Sequence, residues 1–429
     1  MRLLYTLFWW LSLPIVLARL WVRGRQEPGY RRHIGERLGF YSQQTGKKII
    51  WVHAVSAGET RAAEPLVRAL LKRYVGHQIL LTHMTPTGRA TGQLLFADVS
   101  ARVVQSFLPY DTNWMIKRFL RHFAPQLCVL IETEVWPNLI AQCKGHNIPV
   151  ALVNARLSEK SLKKARRLSA LILPAAQAIR CVAAQSGPDA QRLKELGVGR
   201  MIVTGNMKFD VSPPAQMAER GARLRRHFGE RPVFLCASTR DGEEELILNA
   251  FCALPAELQR QALLVVTPRH PQRFDQVAAM IAARGLKHVR RSALDAEAGQ
   301  QILQPDVQVV LGDSMGEMYM YYAACDVAFI GGSLVPLGGH NLIEACAMAR
   351  PVLTGPHTFN FSEITEDAIA IGAAIRVADP AALMAQAFAL IADAGKRKTM
   401  GHHAHAFFMQ HQGATERTVE LLAECATLA

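Results

Sequence analysis

From Lys47 onward, short apolar runs alternate with amphipathic stretches, and this alternation limits the folds open to the chain. The runs are of strand length, whereas stretches such as Thr60–Tyr74 have helical periodicity. Strands and helices that alternate in this way form a parallel sheet covered by helices. Before residue 210, the runs predicted as strands are KKIIWVHAV, HQILLTHM, ARVVQSFL, LCVLIE, IPVALVN, AIRCVAAQ and RMIVTGN.

A second series of runs follows a break that contains two prolines, FDVSPPAQ at Phe209–Gln216. We therefore predict two doubly wound, Rossmann-like α/β domains facing a cleft, with ligands at the carboxyl ends of the strands. The predicted segments are an anchor at 1–25, domains at 26–212 and 213–405, and at 406–429 a C-terminal helix that packs back on the first domain. The runs predicted as strands in the second domain are PVFLCAST, QALLVVTPRH, VQVVLGD, DVAFIGGS, RPVLTGP and GAAIRVAD.

The positive charge belongs to the first half of the chain. Residues 1–210 contain 30 Lys and Arg against 12 Asp and Glu, a net charge of +18, while the remainder has 19 against 23, or −4. A basic half is either a solvated surface or the binding face for an acidic partner such as nucleic acid, an anionic membrane or a phosphorylated lipid. Since the basic segments lack interleaved aromatic residues, a nucleic-acid partner is disfavoured.

An apolar run at Leu3–Ala18 is followed by a cluster of arginines. Because the positive charge lies after the run and no small-residue cleavage site follows, the pattern indicates an uncleaved anchor rather than a signal peptide. Both a membrane span and an interfacial helix remain open, since the run is slightly short for a span. The charge distribution predicts that the body of the protein lies on the cytoplasmic side. The arginines are Arg19, Arg23, Arg25, Arg31 and Arg32.

Several common site types lack their patterns here. No G-x-G-x-x-G follows the first strand and no P-loop sequence occurs, which disfavours dinucleotide oxidoreductases and P-loop enzymes. The eight cysteines show no C-x-x-C spacing, so we expect free thiols in a reducing compartment. No D-x-D motif or zinc-type His spacing is present, and we expect neither a metal nor another cofactor.

Acidic and basic side chains follow successive predicted strands in the first half. In HAVSAGET, Ser56 and Glu59 fit a capping box, yet Gly58 beside the carboxylate leaves room for a substrate, so a general base is the functional alternative. IETEVWPN places Glu132 and Glu134 at the end of a buried strand. NARLS and GNMKFD add Arg156 and Lys208, cations suited to an anionic substrate group.

In the second half, the corresponding motifs suit a nucleotide. TPRHP carries Arg269, GDSMGEM carries a backbone loop at Met315–Glu317, and GGSLVPLGGHNLIEA joins a strand to a helix predicted to begin near Asn341. The free N–H groups at that helix start favour a phosphate, and Glu344 can accept hydrogen bonds from ribose hydroxyls. Each motif alone is also compatible with a surface or capping role.

Together with GPHTFNF, these blocks resemble, in order as far as Phe361, those of the Kdo (3-deoxy-D-manno-octulosonic acid) transferases of lipopolysaccharide biosynthesis. The resemblance implies a GT-B glycosyltransferase with an acceptor-binding first domain and a CMP-sugar-binding second domain. It implies transfer of Kdo from CMP-Kdo to the lipid A precursor lipid IVA, with inversion at the anomeric carbon. The partners would be CMP-Kdo, an acidic phosphorylated glycolipid and the bacterial inner membrane, with the catalytic domains on the cytoplasmic side.

The resemblance also implies roles for individual residues. Glu59 would be the general base, and Glu132 and Lys208 would stabilise the transition state, with Glu134 as the other candidate in its block. One departure is GGHNLIEA where the family often has GGHNPLEP, which changes packing more than chemistry. The implied CMP contacts are Pro268, Arg269, Met315, Gly316, Glu317, Asn341, Leu342, Ile343 and Glu344, and the expected Kdo or acceptor contacts are Ser56, Gly58 and Arg156.

Two other functions remain compatible with the motifs. One is a GT-B transferase that uses another nucleotide sugar on a different lipid, for which UDP would compete better than CMP. The other is a membrane-tethered nucleotide-binding protein without turnover, for which replacing Glu59 by Gln would leave function unchanged.

Overall fold

Two parallel sheets of seven strands form the framework of the protein. The computed structural model describes residues 1–25, 27–43, 45, 48–211, 213, 215–294 and 302–425. The chain divides into two units, which we call unit 1 (residues 1–211 and 411–429) and unit 2 (residues 212–410). Each unit has its own sheet and its own hydrophobic core.

The sheet of unit 1 has the strand order β3-β2-β1-β4-β5-β6-β7. Its strands are β1 Lys48–His53, β2 His77–His83, β3 Val103–Phe107, β4 Leu127–Ile131, β5 Val150–Ala155, β6 Cys181–Ala184 and β7 Arg200–Val203. The helices of unit 1 are α1 Arg2–Arg23, α2 Ile34–Arg37, α3 Ala57–Arg73, α4 Pro86–Leu95, α5 Asn113–Phe123, α6 Pro137–Gly145, α7 Glu159–Arg167, α8 Ser169–Gln177, α9 Gly187–Lys194 and, after unit 2, α20 Ala414–Cys425. Short 3-10 turns lie at Pro28–Arg31, Ala97–Arg102 and Met207–Asp210.

The sheet of unit 2 has the order β10-β11-β9-β8-β12-β13-β14. Its strands are β8 Val233–Thr239, β9 Leu263–Pro268, β10 His288–Arg290, β11 Val309–Leu311, β12 Val327–Ile330, β13 Val352–Thr354 and β14 Ala374–Arg376. The helices of unit 2 are α10 Ala215–Phe228, α11 Glu243–Cys252, α12 Ala256–Gln261, α13 Phe274–Ala282, α14 Arg291–Leu294, α15 Met318–Ala324, α16 Ile343–Ala347, α17 Ser362–Ala370, α18 Pro380–Ala392 and α19 Ala394–Gln410; a 3-10 turn lies at Pro271–Arg273.

The direction of winding reverses once in each sheet. In unit 1, β1 and β4 lie side by side although two strands separate them in sequence, and in unit 2 the same holds for β8 and β12. At such a switch point the loops after the two strands diverge and leave a crevice at the carboxyl edge of the sheet. A binding site is therefore expected at this crevice in each unit.

Alternating residues of β1 show why this sheet needs helices on both faces. Ile49 and Trp51 belong to one buried cluster, with α5 and α6, whereas Ile50 and Val52 belong to a second cluster with α3 and α20. A strand that is buried on both faces reads as a continuous apolar run, which is the pattern in the sequence. The last described helix thus contributes to the core of unit 1.

Helix α1 packs one face against unit 1 and exposes the other. Trp9 stacks on Tyr110 with ring centroids 5.5 Å apart, and Asn138 donates a hydrogen bond to Thr6 at 2.9 Å. The helix is long and apolar enough to cross a membrane, although a signal sequence or a core helix meets the same criterion. The exposed apolar side chains include Leu3, Leu4, Leu7, Phe8, Leu11 and Ile15.

The predicted fold class is confirmed, and every run predicted as a strand contains one. The edge strand β10 was missed because it has three residues and no apolar run. The helix predicted to begin near Asn341 is α16, which starts at Ile343 and has only five residues. The boundary predicted at 406 lies inside α19, and Ser212 and Pro214 of the predicted linker lie outside the described residues.

Candidate active site

Glu59 lies in the first turn of α3, directly after β1. Ser56 caps the helix, and its hydroxyl accepts a hydrogen bond from the Glu59 N–H at 3.4 Å. The Glu59 carboxylate in turn accepts bonds from the Val55 N–H at 2.7 Å and from the Ser56 hydroxyl at 3.3 Å. The capping role is therefore real, and it holds the carboxylate at the carboxyl edge of the sheet.

The environment of Glu59 favours its protonated form. Burial and the charges of Glu132 and Glu134 raise the pKa of Glu59 to about 7, although the bonds from Val55 and Ser56 lower it. A carboxyl group with a pKa near neutrality is a stronger proton acceptor than an exposed glutamate and is still substantially ionised at neutral pH. Such a shift is typical of a catalytic acid or base.

Glu132 is held by two cations at the end of β4. Its carboxylate lies 3.0 Å from the Lys208 Nζ and 3.3 Å from the Arg156 Nε. Glu132 is buried, with 6% of its surface exposed, while the Arg156 side chain is half-exposed. The structure thus brings together three residues that follow three different elements, β4, β5 and β7.

The backbone of Glu132 is in the left-handed region, with φ of 63°. This conformation costs on the order of 1 kcal/mol for a residue other than glycine, and such strain concentrates at functional sites. The Glu132 N–H donates to the Val153 carbonyl at 2.9 Å, which extends the pairing of β4 with β5 beyond the strand. The turn therefore fixes the direction in which the carboxylate leaves the sheet.

Lys208 is positioned by two asparagines. Asn206 accepts a bond from the Lys208 N–H at 3.0 Å, and Asn154, buried at the end of β5, accepts one from the Met207 N–H at 3.0 Å. These contacts hold the 3-10 turn Met207–Asp210 against the sheet. Sequence reasoning missed both asparagines, although each lies in a motif that was singled out for a charged neighbour.

Glu134 is the second acid of its segment, and its partner is aromatic. The Trp136 Nε1–H donates to the Glu134 carboxylate at 2.6 Å. Burial, more than the charge of Glu132, raises the pKa of Glu134, while the bond from Trp136 lowers it. Glu134 therefore joins the same group of charges as Glu59 and Glu132, which we call the glutamate cluster.

The chain does not require glycine at position 58 for space. A Cβ there would meet only the Ser56 Oγ, at 3.8 Å. Gly58 is exposed beside the glutamate cluster, so the surface over the start of α3 is open to a ligand. Packing inside the protein therefore does not explain the glycine at position 58, and its role as a point of close approach for a substrate stays a prediction.

In unit 2, the loop after β12 needs its glycines for packing. A Cβ on Gly331 would lie 2.6 Å from the Ser238 carbonyl, and one on Gly338 would lie 2.3 Å from the Asn360 side chain. Gly332, Gly338 and Gly339 all have positive φ. The loop therefore folds back tightly on itself at the switch point between β8 and β12.

A buried glutamate that sequence reasoning missed holds this loop in place. Glu243, at the start of α11, is fully buried, and its carboxylate accepts backbone N–H bonds from Gly332 at 2.6 Å, Ser333 at 3.1 Å and Leu334 at 3.0 Å. A fourth bond comes from the Arg240 N–H at 3.2 Å. Burial raises the pKa of Glu243, although these bonds lower it. The available signal was the run of acids in STRDGEEE, directly after a strand.

In the loop after β11, the backbone at Met315 and Gly316 is exposed, whereas the Glu317 carboxylate is paired with arginines. Met315 and Gly316 are exposed, and Gly316 has φ of 77° with open space around its Cα. The Glu317 carboxylate pairs with Arg220 of α10 and lies 3.2 Å from the Arg291 Nε. Two guanidinium groups thus bind the Glu317 side chain, and the contact predicted at Met315–Glu317 was one through the backbone.

The remaining predicted nucleotide contacts lie at the end of β9 and after β12. Pro268 is the last residue of β9, and the Arg269 N–H donates to the Thr239 carbonyl at 2.9 Å. Asn341 accepts a bond from the Ile343 N–H at 3.1 Å, while the side chains of Leu342 and Ile343 are buried in the core. Glu344 is half-buried, and its charge contributes to raising the pKa of Tyr322, after burial.

No group of three or more His, Cys, Asp or Glu side chains suited to a metal ion occurs in the described part of the chain. The eight cysteines are free thiols, and all except Cys252 are buried.

The raised pKa of Glu59 predicts a pH-dependent stability. Because the folded state raises this pKa from 4.5 to about 7, the group stabilises the fold at low pH and loses that contribution as pH rises through about 7. Glu59→Gln should therefore become more stable relative to wild type by about 2 kcal/mol between pH 5 and pH 8. Denaturant unfolding followed by Trp fluorescence reports unit 1 alone, since all six tryptophans precede residue 137.

The matched control is Glu420→Gln on the exposed face of α20, which should show no such pH dependence relative to wild type. An unchanged difference between Glu59→Gln and wild type at the two pH values would show that Glu59 titrates as an ordinary surface carboxyl.

This chain is similar to known proteins along nearly its whole length. The sequence model described as 3-deoxy-D-manno-octulosonic-acid transferase (kdotransferase) matches residues 32–211. The 3-deoxy-D-manno-octulosonic acid transferase of Bordetella pertussis is 43% identical over 417 residues, which cover 95% of this chain and 96% of that protein. The enzyme of the same name from Haemophilus influenzae is 36% identical over 427 residues, 98% of each chain.

A solved structure of a glycosyltransferase from Rickettsia africae shares the fold. It has a TM-score of 0.58 and 14% identity, and the alignment covers 89% of this chain and 99% of that one. At this identity the likeness concerns the GT-B architecture alone, whereas the curated relatives match along nearly their whole length. The chain belongs to the 3-deoxy-D-manno-octulosonic acid (Kdo) transferase family, and it is a glycosyltransferase of lipopolysaccharide biosynthesis.

Proposed function

We propose that this enzyme transfers Kdo from CMP-Kdo to the lipid A precursor lipid IVA with inversion, and that Glu59 is the general base. The observation that carries the proposal is the position of the Glu59 carboxylate, which Val55 and Ser56 hold at the switch point of unit 1. Burial and the nearby charges of Glu132 and Glu134 raise its pKa to about 7, which suits a general base. The family membership supplies the reaction class, and the cluster supplies a group able to activate an alcohol.

The proposed step forms one bond and breaks another at the anomeric carbon. The Glu59 carboxylate takes the proton of an acceptor hydroxyl while that oxygen attacks the anomeric carbon of Kdo. The bond from this carbon to the phosphate oxygen breaks, and CMP leaves with the electron pair. Attack on the face opposite the leaving group inverts the configuration, and Glu59 ends the step protonated.

Glu132 and Lys208 are proposed to stabilise the charges that develop in this step. As the leaving group departs, the sugar ring gains positive charge and the phosphate gains negative charge. A carboxylate and an ammonium group 3.0 Å apart provide one charge of each sign, already positioned and partly shielded from water. Arg156, which shares Glu132 with Lys208, is proposed to bind the carboxylate of Kdo or a phosphate of the acceptor.

We assign acceptor binding to unit 1 and nucleotide binding to unit 2. The +18 charge of residues 1–210 suits an acidic phosphorylated glycolipid. In unit 2, Arg269 suits the phosphate of CMP, and the backbone at Met315–Glu317, exposed at Met315 and Gly316, suits the base or sugar of the nucleotide. A donor with a single phosphate can be held by these groups, so the proposal includes no metal and no other cofactor.

The proposed location is the cytoplasmic face of the bacterial inner membrane, with α1 as the anchor. The inner face of α1 packs on Tyr110 and Met115, and its outer face is apolar and exposed. A helix that uses one face for packing has the other available for lipid, and the arginines that follow it suit anionic headgroups. This arrangement favours a helix that lies in the membrane surface over one that leaves the domain to span the bilayer.

The transferase proposal predicts that wild-type protein adds Kdo to lipid IVA and that Glu59→Gln loses about 10²- to 10⁴-fold in rate, because the general base is removed. Detergent-solubilised lipid IVA is incubated with CMP-Kdo and the protein, and mass spectrometry counts the sugars on each product. Glu64→Gln, on the same helix and outside the cluster, is the control and should retain wild-type activity.

No product from folded wild-type protein would reject Kdo transfer, and a UDP-sugar competitor screen would then test the alternative donor. Full activity in Glu59→Gln would leave the reaction in place and remove Glu59 as the base.

The anchor proposal predicts that charges on the outer face of α1 weaken membrane binding. Leu7 and Leu11 are more than half exposed, so Leu7→Asp/Leu11→Asp should fold and lose about tenfold or more in affinity for vesicles of phosphatidylethanolamine and phosphatidylglycerol. Val75→Asp, at an exposed apolar residue away from α1, should bind as wild type does in a flotation assay. Equal binding of all three proteins would contradict the assignment.

A further inference from the structure

Arg240 follows β8 at the switch point of unit 2, and nothing so far assigns it a role. Its backbone N–H is bound by Glu243, while no ion pair joins its guanidinium group to a carboxylate of the described residues. The next residue, Asp241, pairs instead with Arg273, which also binds Glu244 at 3.1 Å. Arg240 is half-buried, so its charge is neither neutralised by a partner nor fully solvated.

Arg240 and His340 both pack close to the Cα of Gly332. A Cβ on Gly332 would lie 3.1 Å from the His340 ring and 3.5 Å from the Arg240 Cγ. The Gly332 backbone has φ of 71°, a conformation that favours glycine. The side chains of Arg240 and His340, which come from different loops, therefore both lie next to Gly332, which has no side chain.

The nitrogen of His340 on this side is buried and has no hydrogen-bond partner in the structure. This atom, Nε2, is one of the two His340 ring atoms nearest to the missing Gly332 Cβ, at 3.2 Å. A buried polar atom without a partner costs about 1–3 kcal/mol, a cost that a bound polar ligand would remove.

The charged groups around His340 are positive. Burial, followed by the charges of Arg269, Arg240 and His270, lowers the pKa of His340 to about 4. His340 is therefore neutral at neutral pH, and its Nε2 can donate a hydrogen bond in the tautomer that carries the proton there. The nearest buried acid of the loop, Glu243, is already bound to four backbone N–H groups.

We propose that Arg240, with Arg269 and His340, binds an anionic group of the donor at the carboxyl edge of the sheet of unit 2, next to Gly332. The inference rests on the proposed function, because the donor CMP-Kdo supplies the anion. That donor carries two such groups, the phosphate and the carboxylate of the sugar. Arg240 and Arg269 follow adjacent strands, β8 and β9, so they present two guanidinium groups at the same edge. Arg240 is thus a donor-binding residue beyond those inferred from the family resemblance.

The test compares three ligands. Cytidine carries no anionic group, CMP adds the phosphate, and CMP-Kdo adds the sugar with its carboxylate. Their affinities for wild type, Arg240→Gln and Arg240→Lys are measured by calorimetry without acceptor. Loss of a charge-assisted hydrogen bond should weaken binding about tenfold to a hundredfold. A phosphate partner predicts that Arg240→Gln loses affinity for CMP and CMP-Kdo alike, and a carboxylate partner predicts a loss for CMP-Kdo only. Arg240→Lys should lose less, because it keeps the charge.

Arg260→Gln is the control, since Arg260 is exposed on α12, ahead of the amino end of β9, and it should bind all three ligands as wild type does. Wild-type affinities in Arg240→Gln for both CMP and CMP-Kdo would overturn the inference and leave the proposed function intact. Failure of wild type to bind CMP at all would overturn both. Circular dichroism checks the fold of each variant, because the tryptophans do not report on unit 2.

Discussion

Every strand in both sheets runs parallel to its neighbours, and this constraint decides where chemistry can occur. Parallel strands end at one edge, so loops that are far apart in sequence meet there. In unit 1, the switch point lies between β1 and β4, the two strands that precede Glu59 and Glu132. In unit 2, it lies between β8 and β12, which precede Arg240 and the glycine loop.

A buried carboxylate organises the loops at each of these edges, but by different means. Glu132 is bound by side-chain cations, Lys208 and Arg156, whose own positions depend on neighbouring loops. Glu243 binds four backbone N–H groups and so fixes the path of the glycine loop. Unpaired buried charge is costly, and each acid is stabilised only when its loop is in place. The first acid therefore joins side chains of separate loops, whereas the second fixes the backbone of a single loop.

The alternation of apolar runs was sufficient to predict the fold class, because strands buried on both faces leave a clear pattern. The charged residues after those strands could also be located, since each lies in a motif directly after a run. Three features escaped prediction for physical reasons. The strand β10 pairs through its backbone and has no apolar signal. The helix α16 begins two residues after its predicted start at Asn341 and has only five residues. Glu243 acts through contacts with residues about 90 positions away, which periodicity does not reveal.

The contacts of a motif side chain were harder to predict than its position in the fold. The segment Met315–Glu317 was expected to bind a nucleotide through its backbone, and this stays a prediction. The binding of the Glu317 carboxylate by Arg220 and Arg291 was not foreseen. Ser56 and Glu59 were interpreted as a capping box, with Glu59 as a general base as the functional alternative, and the hydrogen bonds show that the cap is formed. The cap and the proposed base are compatible, because the bond from Val55 orients the carboxylate while burial keeps its pKa high.

The central claim is that neighbouring carboxylates and burial give Glu59 the pKa of a general base. The most direct test is the pH dependence of the initial rate of Kdo transfer, measured for wild type and for Glu134→Gln. We expect the wild-type rate to rise with pH and level off above about 7, and the rise in Glu134→Gln to shift to lower pH because a repelling charge is removed. A wild-type rate that does not rise as pH approaches 7 would contradict the account. So would a rise that occurs at the same pH in Glu134→Gln as in wild type.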